Sequence, residues 1–246
     1  MRDWEKEKQA RVAFIREKLA STGAKGIVFG NSGGKDSALV AALSSFATEN
    51  VLGVIMPCAS KRNFGEDRED GLAVAAKYGI ETMVVDLTAV RETLLHAVGD
   101  SLTTKGALSN IAPRLRMTTL YAIGAERGYL VAGTGNKSER YMGYFTKFGD
   151  GACDFNPIAD LTASEVFEFL RYLGAPEHVV TKAPSAGLFE GQTDESEMGV
   201  TYAEIDAFLR GEQISPESQA IIERYHRASL HKMVMPTVFP GEEQGK

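Results

Sequence analysis

Four short apolar runs, at residues 27–29, 51–56, 82–85 and 129–132, alternate with stretches of helical periodicity at 37–46, 66–78 and 110–126. Strand-length runs that are apolar throughout, rather than at every second residue, belong to strands covered on both faces. Strands joined one to the next by helices line up in parallel. The chain therefore reads as an α/β fold, a doubly wound, Rossmann-like parallel sheet flanked by helices. Ligands of such sheets sit against the carboxyl ends of the strands. The segments that leave the first, second and fourth runs, "GNSGGKDS", "MPCAS" and "GTGNKSE", lie at that edge and should converge on one site.

Residues 2–20 read as a charged amphipathic helix, with Val12, Ile15 and Leu19 on one stripe. After residue 160 the pattern is helical. Thr162 with Glu165 and Thr201 with Glu204 form capping boxes, Gly174 and Gly211 are stops, and Ser215 with Pro216 opens a third helix running toward His231. The stretch 175–200, rich in Pro, Gly and acids, lacks strong periodicity and is expected to be a mobile lid or disordered. No repeat or linker divides the chain. It is expected to be a single domain over 1–246, its helical part from about 160 packing on a nucleotide-binding core.

Composition removes several classes of function. The 246 residues are 43% hydrophobic and 24% charged, ordinary for a globular domain, and contain no apolar run of about 18 residues that could span a membrane. The charged start "MRDWEKEKQAR" is no signal peptide, so a cytoplasmic location is expected. Two cysteines, Cys58 and Cys153, supply neither a disulfide framework nor a CxxC metal site. A net charge of −6 and a pI near 5.4 argue against nucleic acid as the partner.

The first glycine loop carries the chemistry. A P-loop needs G-x-x-x-x-G-K-[ST], but Gly30 to Gly34 is one residue too short and Asp36 takes the hydroxyl position. The dinucleotide pattern G-x-G-x-x-G fails too, because the glycines fall at 30, 33 and 34. Small residues before a helix still let backbone N–H groups and the helix dipole meet an anion. Asp36 would be repelled by bare phosphate and so argues for a metal between them. Alone, the loop fits equally a glycine-rich turn with Asp36 capping the helix.

"SGGKDS" resembles the SGGxDS pyrophosphate loop of the N-type ATP pyrophosphatases, enzymes that split ATP between the α and β phosphates. "RLRMTTLYAIGAERGYLVAGTGNKSE", "GYFTKFGDGACDFNPIADL", "KAPSAGLFEGQTDESEMGVTY" and "LHKMVMP" together resemble the NAD synthetases, across most of residues 26–236. The resemblance implies an adenine nucleotide alpha-hydrolase-like fold and ATP-dependent amidation of deamido-NAD to NAD, through an acyl-adenylate with release of pyrophosphate and AMP. It also implies Mg2+, a homodimer binding deamido-NAD across its interface, and no nucleic-acid or membrane partner.

Position by position, the likeness implies that Gly30, Asn31, Ser32, Gly33, Gly34, Lys35, Asp36 and Ser37 hold ATP, joined by Thr134 and Ser185. It makes Asp36 and Glu139 the magnesium carboxylates, although a glutamate at 139 also suits a helix N-terminus. Arg114, Lys147, Asp154, His231 and Lys232 match deamido-NAD positions, with Asp154 also counted among the catalytic residues. Arg114 and Arg116 lie two apart and face different ways on one helix, and family position selects Arg114. Many relatives carry an ATP-contacting lysine where this chain has Ala163, which should weaken phosphate binding or pass the task to Lys35, Lys137 or Lys182, with Lys35 and Lys182 the candidates. Ile111, Leu115, Ala122, Ile221, Ile222 and Tyr225 fit either a dimer interface or one protomer's core. Only one helix precedes residue 26, so ammonia rather than a glutaminase domain is expected to supply nitrogen. Two other readings would share the loop: another superfamily member, whether a tRNA thiolase, a lysidine-type ligase or a sulfur-transfer enzyme acting on a small molecule, and a nucleotide-sensing domain. The first is opposed by the acidic charge and the cysteine positions, and the second has no need of Asp36, Glu139, Lys147 and Asp154 together.

Overall fold

The apolar run 27–29 becomes the second strand from the edge of a four-stranded parallel sheet. β1 (Gly26–Gly30) pairs with β2 (Val51–Ile55) on one side and β4 (Tyr129–Val131) on the other, and β3 (Glu81–Val84) pairs with β2, in the order β3-β2-β1-β4. The computed structural model describes residues 2–60, 64–181 and 194–239. Side chains of β1 alternate between faces: Ile27 and Phe29 enter one apolar cluster and Val28 the other.

On the first face lie α1 (Trp4–Thr22), α2 (Lys35–Ala47) and α8 (Ala163–Tyr172), burying Ile15, Leu39, Leu43, Phe169 and Leu170 completely. α2 is apolar on every side from Ala38 to Leu43, as a helix surrounded by protein should be. α3 (Glu66–Tyr78) follows β2 and adds Val74 to the same cluster. The second face is covered mainly by α6 (Ile111–Arg127), through Ala112 and Leu120, and by Leu87, which precedes α4 (Thr88–Val98).

A third cluster joins α7 (Lys137–Met142) and the start of α8 to α10 (Asp194–Met198), α11 (Tyr202–Leu209) and α12 (Pro216–Ser229). Both expected capping boxes form, and Ser215 caps α12 ahead of Pro216. Buried Asp206 ties α11 to its neighbours, accepting from Ser138 Oγ and from the Ser164 backbone N–H. No helix among the described residues is long and apolar enough to cross a membrane.

Two expectations change. The stretch 175–200 begins with α9 (Glu177–Thr181) and ends with α10, and Val179, Val180 and Met198 are buried, so its described ends belong to the core rather than to a lid. Its centre, 182–193, with Lys182 and Ser185, lies outside the described residues. Of the apolar residues considered for an interface, Ile111 and Ile222 are buried and Leu115, Ile221 and Tyr225 pack against the same clusters, so they serve the protomer's own core. Ala122 alone of that set is exposed. Exposed large apolar side chains among the described residues include Val90 and Leu94 of α4, which buries none of its residues.

Candidate active site

The turn after β1 is built to hold its backbone open. Gly33 has φ +74, and a Cβ there would lie 2.5 Å from the Asp67 carbonyl oxygen, so both conformation and space require glycine. Asn31 donates through Nδ2 to the Gly71 carbonyl at 2.8 Å, anchoring the loop to α3. Ser32 and Ser37 hydroxyls lie 3.1 Å apart across the turn. Gly34 caps α2 without a side chain, so no side-chain oxygen of the cap covers the helix N-terminus. Such a terminus suits phosphate oxygens.

The two expected carboxylates meet beside this turn. Asp36, from the first turn of α2, and Glu139, from the first turn of α7, both face the Lys35 ammonium, at 2.5 Å and 4.0 Å. Asn136 locks the pair. Its Nδ2 donates to Asp36 Oδ1 at 3.0 Å, while its Oδ1 caps α7 by accepting from the Glu139 N–H at 3.0 Å. Glu139 returns the cap through Oε2, which accepts from Asn136 N–H at 3.1 Å, and Oε1 is the atom facing Lys35. Helix capping and site duty therefore coexist on one side chain, on separate oxygens. Burial and then the Asp36 charge push the Glu139 carboxyl well above its ordinary range, with Lys35 opposing.

The turn opens into a cavity of about 480 Å³, lined by Ser32, Asp36, Thr134, Glu139, Arg116 and Lys232 among others. That is ample for a small organic ligand. Lys232 crosses from the C-terminal segment and donates to the carbonyls of Gly143 and Phe145 at 2.8 and 2.9 Å, and burial lowers its pKa. Asp194, buried at the start of α10, accepts from Tyr202 Oη at 3.1 Å and also lines the cavity.

The remaining expected substrate residues sit outside that lining. Arg114 is exposed, with Nη2 3.4 Å from the Lys147 carbonyl, and Lys147 Nζ donates to the His231 carbonyl at 2.7 Å, so these three form one cluster on the rim. The arginine that faces the cavity is Arg116, whose Nε donates to the Met56 carbonyl at 3.1 Å. Asp154 spends both oxygens on the frame: Oδ2 accepts from Val131 N–H at 2.7 Å and Oδ1 from Tyr121 Oη at 3.2 Å.

The NAD synthase family model matches residues 7–239. The chain belongs to the NAD synthase family. It is 48% identical to the NH(3)-dependent NAD(+) synthetase of Carboxydothermus hydrogenoformans, over 96% of this chain and 98% of that one. Among solved structures it resembles the NMN synthetase of Francisella tularensis, with TM-score 0.93, 38% identity and coverage of 98% and 100% of the two chains. It also resembles the NH3-dependent NAD synthetase of Campylobacter jejuni, with TM-score 0.79, 32% identity and coverage of 97% and 100%. The family fold, a Rossmann-like parallel sheet flanked by helices, is the one described above.

The donor set also fits the metal that family membership suggests. No group of three or more His, Cys, Asp and Glu that could hold a metal converges among the described residues. Two carboxylates beside a phosphate-accepting turn are nevertheless the arrangement in which magnesium is shared between protein and substrate. Asn136, Arg116, Asp194 and Tyr202 are additions that the motifs did not mark. Of the lysines considered in place of one at 163, Lys35 faces the carboxylates and Lys182 lies outside the described residues.

Proposed function

We propose that the chain is an ammonia-dependent NAD synthetase, amidating the nicotinate carboxylate of deamido-NAD while ATP is split to AMP and pyrophosphate. The observation that carries the reading is one cavity lined by the glycine turn, by the Asp36–Glu139 pair and by the cations Arg116 and Lys232. Magnesium bound by that pair would supply positive charge to the phosphates. The turn's backbone and α2 would orient the triphosphate, with Ser37 and Thr134 at its side. A carboxylate is a poor electrophile, and its conversion to an acyl-adenylate supplies a leaving group. A carboxylate oxygen bonds to the α-phosphorus, the bond from that phosphorus to the bridging oxygen breaks, and pyrophosphate leaves with the electron pair. Ammonia then attacks the carbonyl carbon, AMP leaves, and one proton is lost as the amide forms. The protein's task is positioning two anions and balancing their charge.

The rim cluster of Arg114, Lys147 and His231 would hold the second nucleotide half of deamido-NAD, outside the cavity that receives the reacting half. Asp154 would act by fixing β4 and Tyr121 beside it. The reading includes a cytoplasmic location and a single working domain, expected from the sequence, and a homodimer, expected from the family resemblance. A partner subunit would cover α4, with its exposed Val90 and Leu94.

One observation favours a second reading, a mononucleotide substrate: the TM-score to the NMN synthetase exceeds that to the Campylobacter NAD synthetase, 0.93 against 0.79. The test is kcat/KM for deamido-NAD and for nicotinate mononucleotide, with ammonium as nitrogen source, in wild type and Lys147→Ala. Deamido-NAD should be preferred. A lost charge-assisted contact of about 1.5–3 kcal/mol should raise its KM about tenfold or more in the variant, leaving that of ATP unchanged. Preference for the mononucleotide, with no effect of Lys147→Ala, would replace the first reading by the second.

A further inference from the structure

Lys35 is placed against two physical penalties. It is the first residue of α2, where the helix dipole disfavours a cation, and it is only 5% exposed. Its ammonium nevertheless faces two carboxylates, Asp36 at 2.5 Å and Glu139 at 4.0 Å. It lies 5.5 Å from the Tyr202 ring centroid and 5.6 Å from that of Phe167, both in range of a cation–π contact. The place it fills is the space between the two carboxylates best suited to a divalent ion.

We propose that Lys35 is the built-in cation of the Asp36–Glu139 pair, and that a divalent ion entering with the nucleotide displaces it toward the phosphates. The inference rests on the ATP-dependent reading above and adds to it an order of events. Without metal, the ammonium neutralises a buried pair that would otherwise repel itself. With metal and ATP, the two carboxylates pass to the ion, and the ammonium, still on the first turn of α2, faces the phosphate turn. There it shares the charge that collects on pyrophosphate as the bond to the α-phosphorus breaks. No proton moves in this exchange. Lys35 and the metal thus compete for the same oxygens, and the lysine keeps the pair from holding a divalent ion tightly before substrate arrives.

The competition is measurable without substrate. Mn2+ is titrated into the nucleotide-free protein and followed by the electron paramagnetic resonance of the free ion, for wild type, Lys35→Met, Lys35→Gln and Lys35→Arg. Melting temperatures are taken in chelator and in excess magnesium. The neutral variants should bind Mn2+ about tenfold tighter or more, the least that coupling between close charges implies. They should melt below wild type in chelator and recover with magnesium, while Lys35→Arg, which keeps the charge, should track wild type. Equal Mn2+ affinity across all four proteins would overturn the proposal. So would a loss in both neutral variants that magnesium does not restore, including failure to fold at every magnesium concentration. The assigned reaction is read separately, by deamido-NAD-dependent product formation in wild type, so its failure is distinguishable from failure of the metal titration.

Discussion

Asn136 joins stability to chemistry in one side chain. It caps α7 and at the same time donates to Asp36, so the helix that presents Glu139 is fixed relative to the helix that presents Asp36. Replacing it with alanine should remove a cap worth about 1 kcal/mol, lowering the melting temperature by about 2–4 °C in a chain of this size. The same change should raise the magnesium concentration needed for half-maximal rate, because Asp36 loses the bond that aims it. A thermal melt beside a magnesium titration checks both, and an unchanged magnesium requirement would count against the bridging role. Asp36 and Glu139 were legible in the sequence because the motifs around them are contiguous. Asn136 was not, since an asparagine three residues before a glutamate reads as a helix cap and nothing in the chain says which second helix it touches. Arg116 was hidden for another reason. Spacing separates it from Arg114, but which of the two faces the cavity depends on the rotation of α6 against the sheet.

At the scale of elements, the strands and the helices between them were readable from their apolar pattern, and so were the caps of α8, α11 and α12. α4 was not, because none of its residues is fully buried and its inward stripe, Thr88, Arg91, Leu95 and Val98, is only half apolar. The short α9 and α10 escaped because their buried residues meet partners distant in sequence. The seat of α1 was also invisible. Arg11 donates to Asp160 at 2.6 and 2.8 Å and to the Pro157 carbonyl at 2.5 Å, and Arg2 donates to Glu165 at 2.8 Å. Burial pushes the Asp160 carboxyl up, but the Arg11 bonds and charge outweigh it and hold it below the usual range, and Arg2 does the same for Glu165. Carboxyls with lowered folded pKa values contribute stability that is present above their unfolded values, about 3.9 and 4.3, and lost as pH falls through the folded ones. Arg11→Ala should therefore cost about 1.5 kcal/mol at neutral pH, the low end for a charged hydrogen bond, because the Asp160 side chain is 57% exposed and solvent screens the pair. Urea melts at pH 7 and near pH 3 should show the gap from wild type narrowing in acid; a gap that widens would contradict this seat.

For the molecule as a whole, function follows from where the strand order turns. The chain runs outward from β1 through β2 to β3, then returns to the other side of β1 as β4. The loops after β1 and β4 therefore part over one crevice, the usual ligand position in such sheets. After the first loop comes Asp36 and after the second comes Glu139, so carboxylates about a hundred residues apart in sequence face the same Lys35 ammonium. The C-terminal part of the chain adds Asp194 and Lys232 to the crevice lining, with Tyr202 held against Asp194. The central claim is that this crevice makes an acyl-adenylate before ammonia takes part. Its most direct test is exchange of labelled pyrophosphate into ATP, with magnesium and deamido-NAD present and ammonia absent. Label should enter ATP in wild type only when deamido-NAD is supplied, and exchange should fall at least about a hundredfold in Asp36→Ala, the loss typical of removing one group that stabilises transition-state charge. Exchange that proceeds without deamido-NAD, or that Asp36→Ala leaves intact, would contradict it.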